Sequence, residues 1–147
     1  MTPTDFSEGG PLFVDTNVFL RFLTNDVPEQ AAAVEALFRR AAAGEVRLVT
    51  NTMVVAEIVW VLESYYHLPR ADVQERAMAV SHVDGLILPE LDVVTDALLA
   101  YAEANVDFID AYNACWMRQR GLCGVATFDK KCYSRFEGIA VHTPGEG

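Results

Sequence analysis

The sequence predicts an α/β fold: a three-layer domain with a parallel sheet of four to five short strands flanked by helices. Three observations predict it. Short apolar runs such as Leu12-Phe13-Val14 and Leu86-Ile87-Leu88 carry the pattern of strands buried on both faces. Longer stretches with helical apolar spacing alternate with those runs along the chain. No internal repeat, low-complexity tract or linker interrupts the alternation. A single domain over residues 12–143 is therefore expected, preceded by a flexible polar lead-in over 1–11 with Gly9-Gly10-Pro11 as its hinge.

Taken in order, Phe13 to Asp15 reads as the first strand and Asn17 to Thr24 as a short helix. Asp26-Val27-Pro28-Glu29 has the form of a capping box with proline near the helix start. The alanine-rich helix it opens runs to about Ala43 and stops at Gly44. Arg47 to Thr50 is the second strand. Thr50-Asn51-Thr52 then starts a strongly apolar helix from Met53 to about Tyr66, broken by Leu68-Pro69. Arg70 to about Val83 is amphipathic and ends at Asp84-Gly85. Leu86 to Leu88 is the third strand, closed by Pro89. Asp92 to Ala104 places Val93, Val94, Ala97, Leu98 and Tyr101 at core spacing. Asp107 opens a helix that ends at Arg120-Gly121. Gly124 to Thr127 is a fourth strand, Lys130 to Phe136 a short helical turn, and Ile139 to His142 a fifth strand.

With 147 residues and 52% hydrophobic content, the chain can build one proper core. No window approaches the roughly 18 consecutive apolar residues of a membrane span. The start of the chain lacks the basic and apolar segments of a signal peptide. Cys115, Cys123 and Cys132 are odd in number and show no CxxC spacing. That favours a reducing, cytoplasmic setting over a disulfide framework or a zinc site. His67, His82 and His142 are widely separated and read as surface or packing residues. A net charge of −10 argues against a nucleic-acid partner. Arg118, Arg120, Lys130, Lys131 and Arg135 nevertheless cluster around a single acid, Asp129. That segment is either a solvated surface or a phosphate-binding strip.

Four acids carry the chemistry. Asp15 stands where a central strand meets a helix, the place where ligands bind in open α/β sheets, although an N-cap occupies the same position. Glu57 is the only charge between Met53 and Leu62, in a helix apolar enough to be buried on most sides. A buried carboxylate calls for a partner or a metal. Asp107 and Asp110 share one face of a helix start; Asp107 reads as the N-cap, and Asp110 favours the helix dipole. Asp129 follows a strand as Asp15 does, with the Thr127 hydroxyl two residues before it. Carboxylates gathered in one cleft repel one another, and a cation relieves that repulsion. Hard oxygen donors without convergent His or Cys suit Mg²⁺ or Mn²⁺, and such an ion points to phosphoryl hydrolysis.

Val14-Asp15-Thr16-Asn17, Ala56-Glu57-Ile58-Val59-Trp60, Asp107-Phe108-Ile109-Asp110-Ala111 and Ala126-Thr127-Phe128-Asp129 together resemble the motifs of PIN-domain ribonucleases. Within that superfamily the chain is similar to the VapC toxins of bacterial toxin–antitoxin pairs. The resemblance spans about Leu12 to Val141. It implies a Mg²⁺- or Mn²⁺-dependent endoribonuclease with Asp15, Glu57, Asp110 and Asp129 as catalytic and metal-binding acids. Asn17 and Thr127 fall on positions that usually support metal or water, with Asp107 beside them. The resemblance also implies an RNA substrate (tRNA or another structured RNA), a homodimer, and silencing by a cognate antitoxin. Arg21 and Arg118, Lys130, Lys131 and Arg135 are the candidates to contact RNA.

Two other classes stay open on the residues. One is a catalytically silent PIN-like module that only binds a partner protein. The other is a Mg²⁺-dependent phosphatase or receiver-type domain, which would want a second acid near Asp15. Walker A, GxGxxG and GxSxG motifs are absent, which sets aside nucleotide-loop and serine-hydrolase chemistry.

Overall fold

A computed structural model describes residues 10–146, so most of the expected lead-in over 1–11 lies outside the described residues. The chain divides into two compact units, the first ending at Leu91 and the second beginning at Asp92. Each is built from the alternation that the sequence predicts.

The first unit holds β1 (Leu12–Phe13), α1 (Thr16–Thr24), α2 (Pro28–Ala42), β2 (Leu48–Val49), α3 (Thr52–Ser64), α4 (Arg70–Ser81) and β3 (Leu86–Ile87). The strands form one parallel ladder in the order β1-β2-β3, with Leu12 opposite Leu48 and Leu48 opposite Leu86. β2 lies in the middle, and its Leu48 and Val49 are buried. β1 departs from the expected strand covered on both faces. Leu12 and Phe13 are 54% and 56% exposed, as befits a strand at the edge of this ladder. Phe38 of α2 packs against Phe19 and Phe22 of α1, with ring centroids 5.9 and 5.0 Å away.

Three local readings in this unit are corrected. The capping box before α2 does not form: Val27 holds the cap position and no side chain caps the helix, although Pro28 opens it. Asp26 is drawn elsewhere. It accepts hydrogen bonds from Thr24 Oγ1 (2.8 Å) and from the Tyr66 hydroxyl (2.7 Å), and it pairs with Arg21 (3.4 Å). The hydrogen bond from Tyr66, then that from Thr24, hold the Asp26 carboxyl below the usual carboxylate range. α3 is not buried on most sides. Val54, Val55, Ile58, Val59 and Leu62 are buried, while Met53, Glu57 and Trp60 face outward, with Met53 and Trp60 74% and 66% exposed. α4 stops at Ser81, short of Val83.

Gly85 is needed before β3. Its φ is +87°, and a Cβ there would lie 2.4 Å from the Ala41 carbonyl oxygen at the end of α2.

The second unit holds most of α5 (Leu91–Ala104), then α6 (Phe108–Gln119), β4 (Gly124–Ala126), α7 (Lys130–Tyr133) and β5 (Ala140–His142). The five α5 residues expected at core spacing, Val93, Val94, Ala97, Leu98 and Tyr101, are all buried. β4 and β5 pair in parallel, Val125 opposite Val141. Thr127 N donates to His142 O (3.1 Å) and extends that ladder toward Asp129. α7 is a single turn, shorter than the expected segment to Phe136.

All five expected strands exist and all pair in parallel. Among the described residues they pair as a three-stranded and a two-stranded ladder, where one sheet was expected. No helix among the described residues is long and apolar enough to cross a membrane.

Candidate metal centre

The second unit carries the most developed site. At the start of α6, Asp107 takes the extended N-cap conformation (φ −63°, ψ 149°), yet its carboxylate makes no cap hydrogen bond. The cap role expected for that side chain is not realised. Asp110 occupies the first turn of α6, where the positive end of the helix dipole favours a carboxylate. Asp129 is fixed from two directions. Its backbone N–H donates to Thr127 Oγ1 (3.0 Å), and its Oδ1 accepts from Cys132 N (3.1 Å), capping α7.

These segments enclose a cleft of about 240 Å³ lined by Asp107, Asp110, Asp129, Cys132, Lys131 and Arg135, together with Asn105 and Val106. One oxygen from Asp110, one from Asp129 and the sulfur of Cys132 lie within 4.8 Å of one another. The expectation that no cysteine converges on the acids is therefore corrected. Burial first, then the hydrogen bond to Asp110, then the charges of Asp110, Asp129 and Asp107 push the Cys132 thiol up to about 12. Burial also raises the Tyr133 hydroxyl, partly opposed by the hydrogen bond from Asn113 Nδ2 (3.4 Å).

The donor set fits a divalent ion. Two carboxylate oxygens are hard donors of the kind Mg²⁺ and Mn²⁺ take, and the rim adds a third acid, Asp107.

The expected RNA-contacting bases are mostly engaged within the chain. Arg135 Nη1 donates to the carbonyls of Ala104 (2.9 Å) and Asn105 (2.7 Å), satisfying groups left open at the end of α5. Lys130 pairs with Glu146 (2.9 Å). Arg118 donates to Glu137 O (2.9 Å) and lies over the Phe136 ring, and Arg120 stacks on Trp116. Lys131 is exposed and lines the cleft. In the first unit, Arg21 donates to Gln30 Oε1 (2.7 Å) besides pairing with Asp26.

The remaining candidates lie in the first unit. Asp15 follows β1 as the N-cap of α1, its Oδ1 accepting from Thr16 N (2.8 Å). Its carboxylate is exposed. The Thr16 hydroxyl is buried and makes no hydrogen bond among the described residues, so it retains capacity for a water. Thr50 Oγ1 donates to Val14 O (3.0 Å) and ties the ends of β2 and β1 together. Asn17 is exposed and lines a separate cavity of about 400 Å³ with Val18, Arg21, Gln30, Ala33 and Val34. Glu57 is exposed on α3, which removes the argument that burial compels it to bind a metal.

Sequence reasoning missed two residues. Glu90 follows β3 and accepts from Thr52 Oγ1 (3.1 Å). The signal was available, because Glu90 stands just past a strand as Asp15 and Asp129 do. Cys132 is the other. It stands three residues after the capping Asp129, which places it one turn away.

Compared with known families, the chain matches the PIN domain over residues 12–139. No curated protein matches it.

Proposed function

The chain belongs to the PIN domain family, whose members are typically metal-dependent nucleases, and on that premise we propose that it is a Mg²⁺- or Mn²⁺-dependent endoribonuclease. The observation that carries the reading is the meeting of Asp110 and Asp129 in the cleft of the second unit. These two carboxylates would hold the ion. When bound, it supplies positive charge to the scissile phosphate and a more acidic water for hydrolysis.

The chain's own groups do the rest. The Cys132 N–H and the Thr127 hydroxyl hold Asp129 in place, so its carboxylate is preorganised. Asp107, free of a cap bond, is available to accept a proton from the attacking water. Lys131 and Arg135 line the same cleft and supply N–H donors to phosphate oxygens. The carbonyls of Ala104 and Asn105 anchor Arg135 and limit how far its charge can stray. Asp15 and Glu57 are further carboxylates required by the reaction in this reading, with Asn17 in support.

The finer reading is a VapC-type toxin that cuts structured RNA as a cytoplasmic homodimer and is silenced by a cognate antitoxin. The four motifs standing in family order support it. The decisive assay is cleavage of a structured RNA such as tRNA with Mg²⁺, with Mn²⁺ and with EDTA. Cleavage should need the ion, and Asp110→Asn and Asp129→Asn should each lower it by about 100-fold or more. Metal-independent cleavage, or full activity in both variants, overturns the proposal. Co-expression with the product of the neighbouring reading frame tests the toxin reading: rescue of growth supports it, and no toxicity on expression alone refutes it.

A further inference from the structure

Cys132 gives the acidic cleft a donor of different chemistry. Its sulfur lies within 4.8 Å of ligand oxygens from both Asp110 and Asp129. Donors about 2.0–2.3 Å from one tetrahedral ion stand roughly 3.5 Å apart, so small side-chain rotations bring all three to a common centre. Cys132 cannot easily leave that position. It belongs to the single turn of α7, and the hydrogen bond from its backbone N–H to Asp129 Oδ1 (3.1 Å) locks it to the acid. The other two cysteines are separate cases: Cys115 is buried and Cys123 exposed, and neither lines this cleft.

We propose that Cys132 makes this a mixed oxygen–sulfur centre that binds thiophilic divalent cations, Zn²⁺ and Cd²⁺, through its Sγ in preference to Mg²⁺. The proposal rests on the reading of Asp110 and Asp129 as ion ligands and adds the residue that sets ion selectivity. Mg²⁺ prefers hard oxygens and retains its waters, so it has no use for sulfur. Zn²⁺ forms short bonds to both thiolate and carboxylate. On binding, a sulfur–metal bond forms, the S–H bond breaks and the proton leaves to solvent; nothing is oxidised. A thiophilic ion held by three side chains leaves fewer open positions for substrate than a hydrated Mg²⁺.

The test is titration of metal-free protein with Cd²⁺, followed by the ultraviolet charge-transfer band of the cadmium–thiolate bond. The Mn²⁺-dependent rise in melting temperature is measured in parallel. Wild type should develop a saturable band. Cys132→Ser should lose the band and more than about tenfold in Cd²⁺ affinity, with a smaller loss for Mn²⁺. Cys132→Ala serves as a second variant should serine disturb the turn, and Cys123→Ser should leave the band in place. A band that survives both Cys132 variants overturns the proposal. A Mn²⁺ shift in wild type without any cadmium band also overturns it, while leaving the ion reading of the two acids intact. Neither band nor shift removes both.

Discussion

Cys132 offers a reactivity experiment whose size follows from its surroundings. Its thiol is raised from 9.0 to about 12, by burial first and then by Asp110. At pH 8 a thiol of 9.0 is about one-tenth thiolate and one of 12 about one part in ten thousand, roughly a thousandfold difference. The rarer thiolate is also the stronger nucleophile. With a Brønsted slope of about 0.4–0.5, three units recover roughly 15–30-fold. The net expectation is alkylation of Cys132 roughly 30–60-fold slower than an unperturbed thiol, rising about tenfold per pH unit until the thiol ionises. Asp110→Asn replaces the charged acceptor of the thiol's hydrogen bond by a neutral one and removes the largest of the three charges acting on it. Burial, the leading cause, remains, so alkylation should accelerate without reaching the unperturbed rate. The assay is iodoacetamide labelling from pH 7 to pH 10, read by mass spectrometry on the peptide carrying Cys132. Labelling at the rate of a free cysteine, or no acceleration in Asp110→Asn, would refute the account of the cleft's electrostatics.

Other outcomes follow from the packing and charge. Gly85→Ala should destabilise the first unit by about 2–5 kcal/mol, because a left-handed φ and a Cβ 2.4 Å from Ala41 O act together. Chemical denaturation checks this, and a loss below about 1 kcal/mol would contradict the close approach of α2 and β3. Glu57→Gln should change stability by no more than about 0.5 kcal/mol, as expected for an exposed position, while lowering metal-dependent RNA cleavage. Strong destabilisation would restore a buried pairing for Glu57, and unchanged cleavage would take it out of the reaction. Lys131→Glu should reduce the salt dependence of RNA binding by more than Lys130→Glu, since Glu146 already neutralises Lys130. Equal reductions would mean that the pairing with Glu146 does not withhold Lys130 from RNA, and an unchanged salt slope in both variants would return the basic segment to a solvated surface.

The sequence by itself determined the features that depend on near neighbours. The buried face of α5 is a periodic pattern within one helix, and all five of its expected residues are buried. Chain breaks at Gly44, Gly85 and Gly121, each at positive φ, are local backbone requirements. The order of strands, helices and acid-bearing motifs was legible for the same reason, and it sufficed to identify the PIN family. What only the tertiary structure decided are encounters between residues far apart in the chain. Asp26 looked like a helix cap, but its carboxylate instead accepts a hydrogen bond from Tyr66, forty residues along. Glu57 looked buried because its neighbours are apolar, yet composition does not say which side of a helix meets the core. The rotation of α3 about its axis turns Val55, Ile58 and Leu62 inward and leaves Glu57 beside Met53 and Trp60 in solvent. Cys132 reaches Asp110 only because α6 and α7 are folded against each other, and Arg135 is committed to α5 carbonyls for a similar reason. Periodicity records which residues share a face; which partner that face meets is settled by the packing of distant segments, where side-chain contacts outweigh local preference.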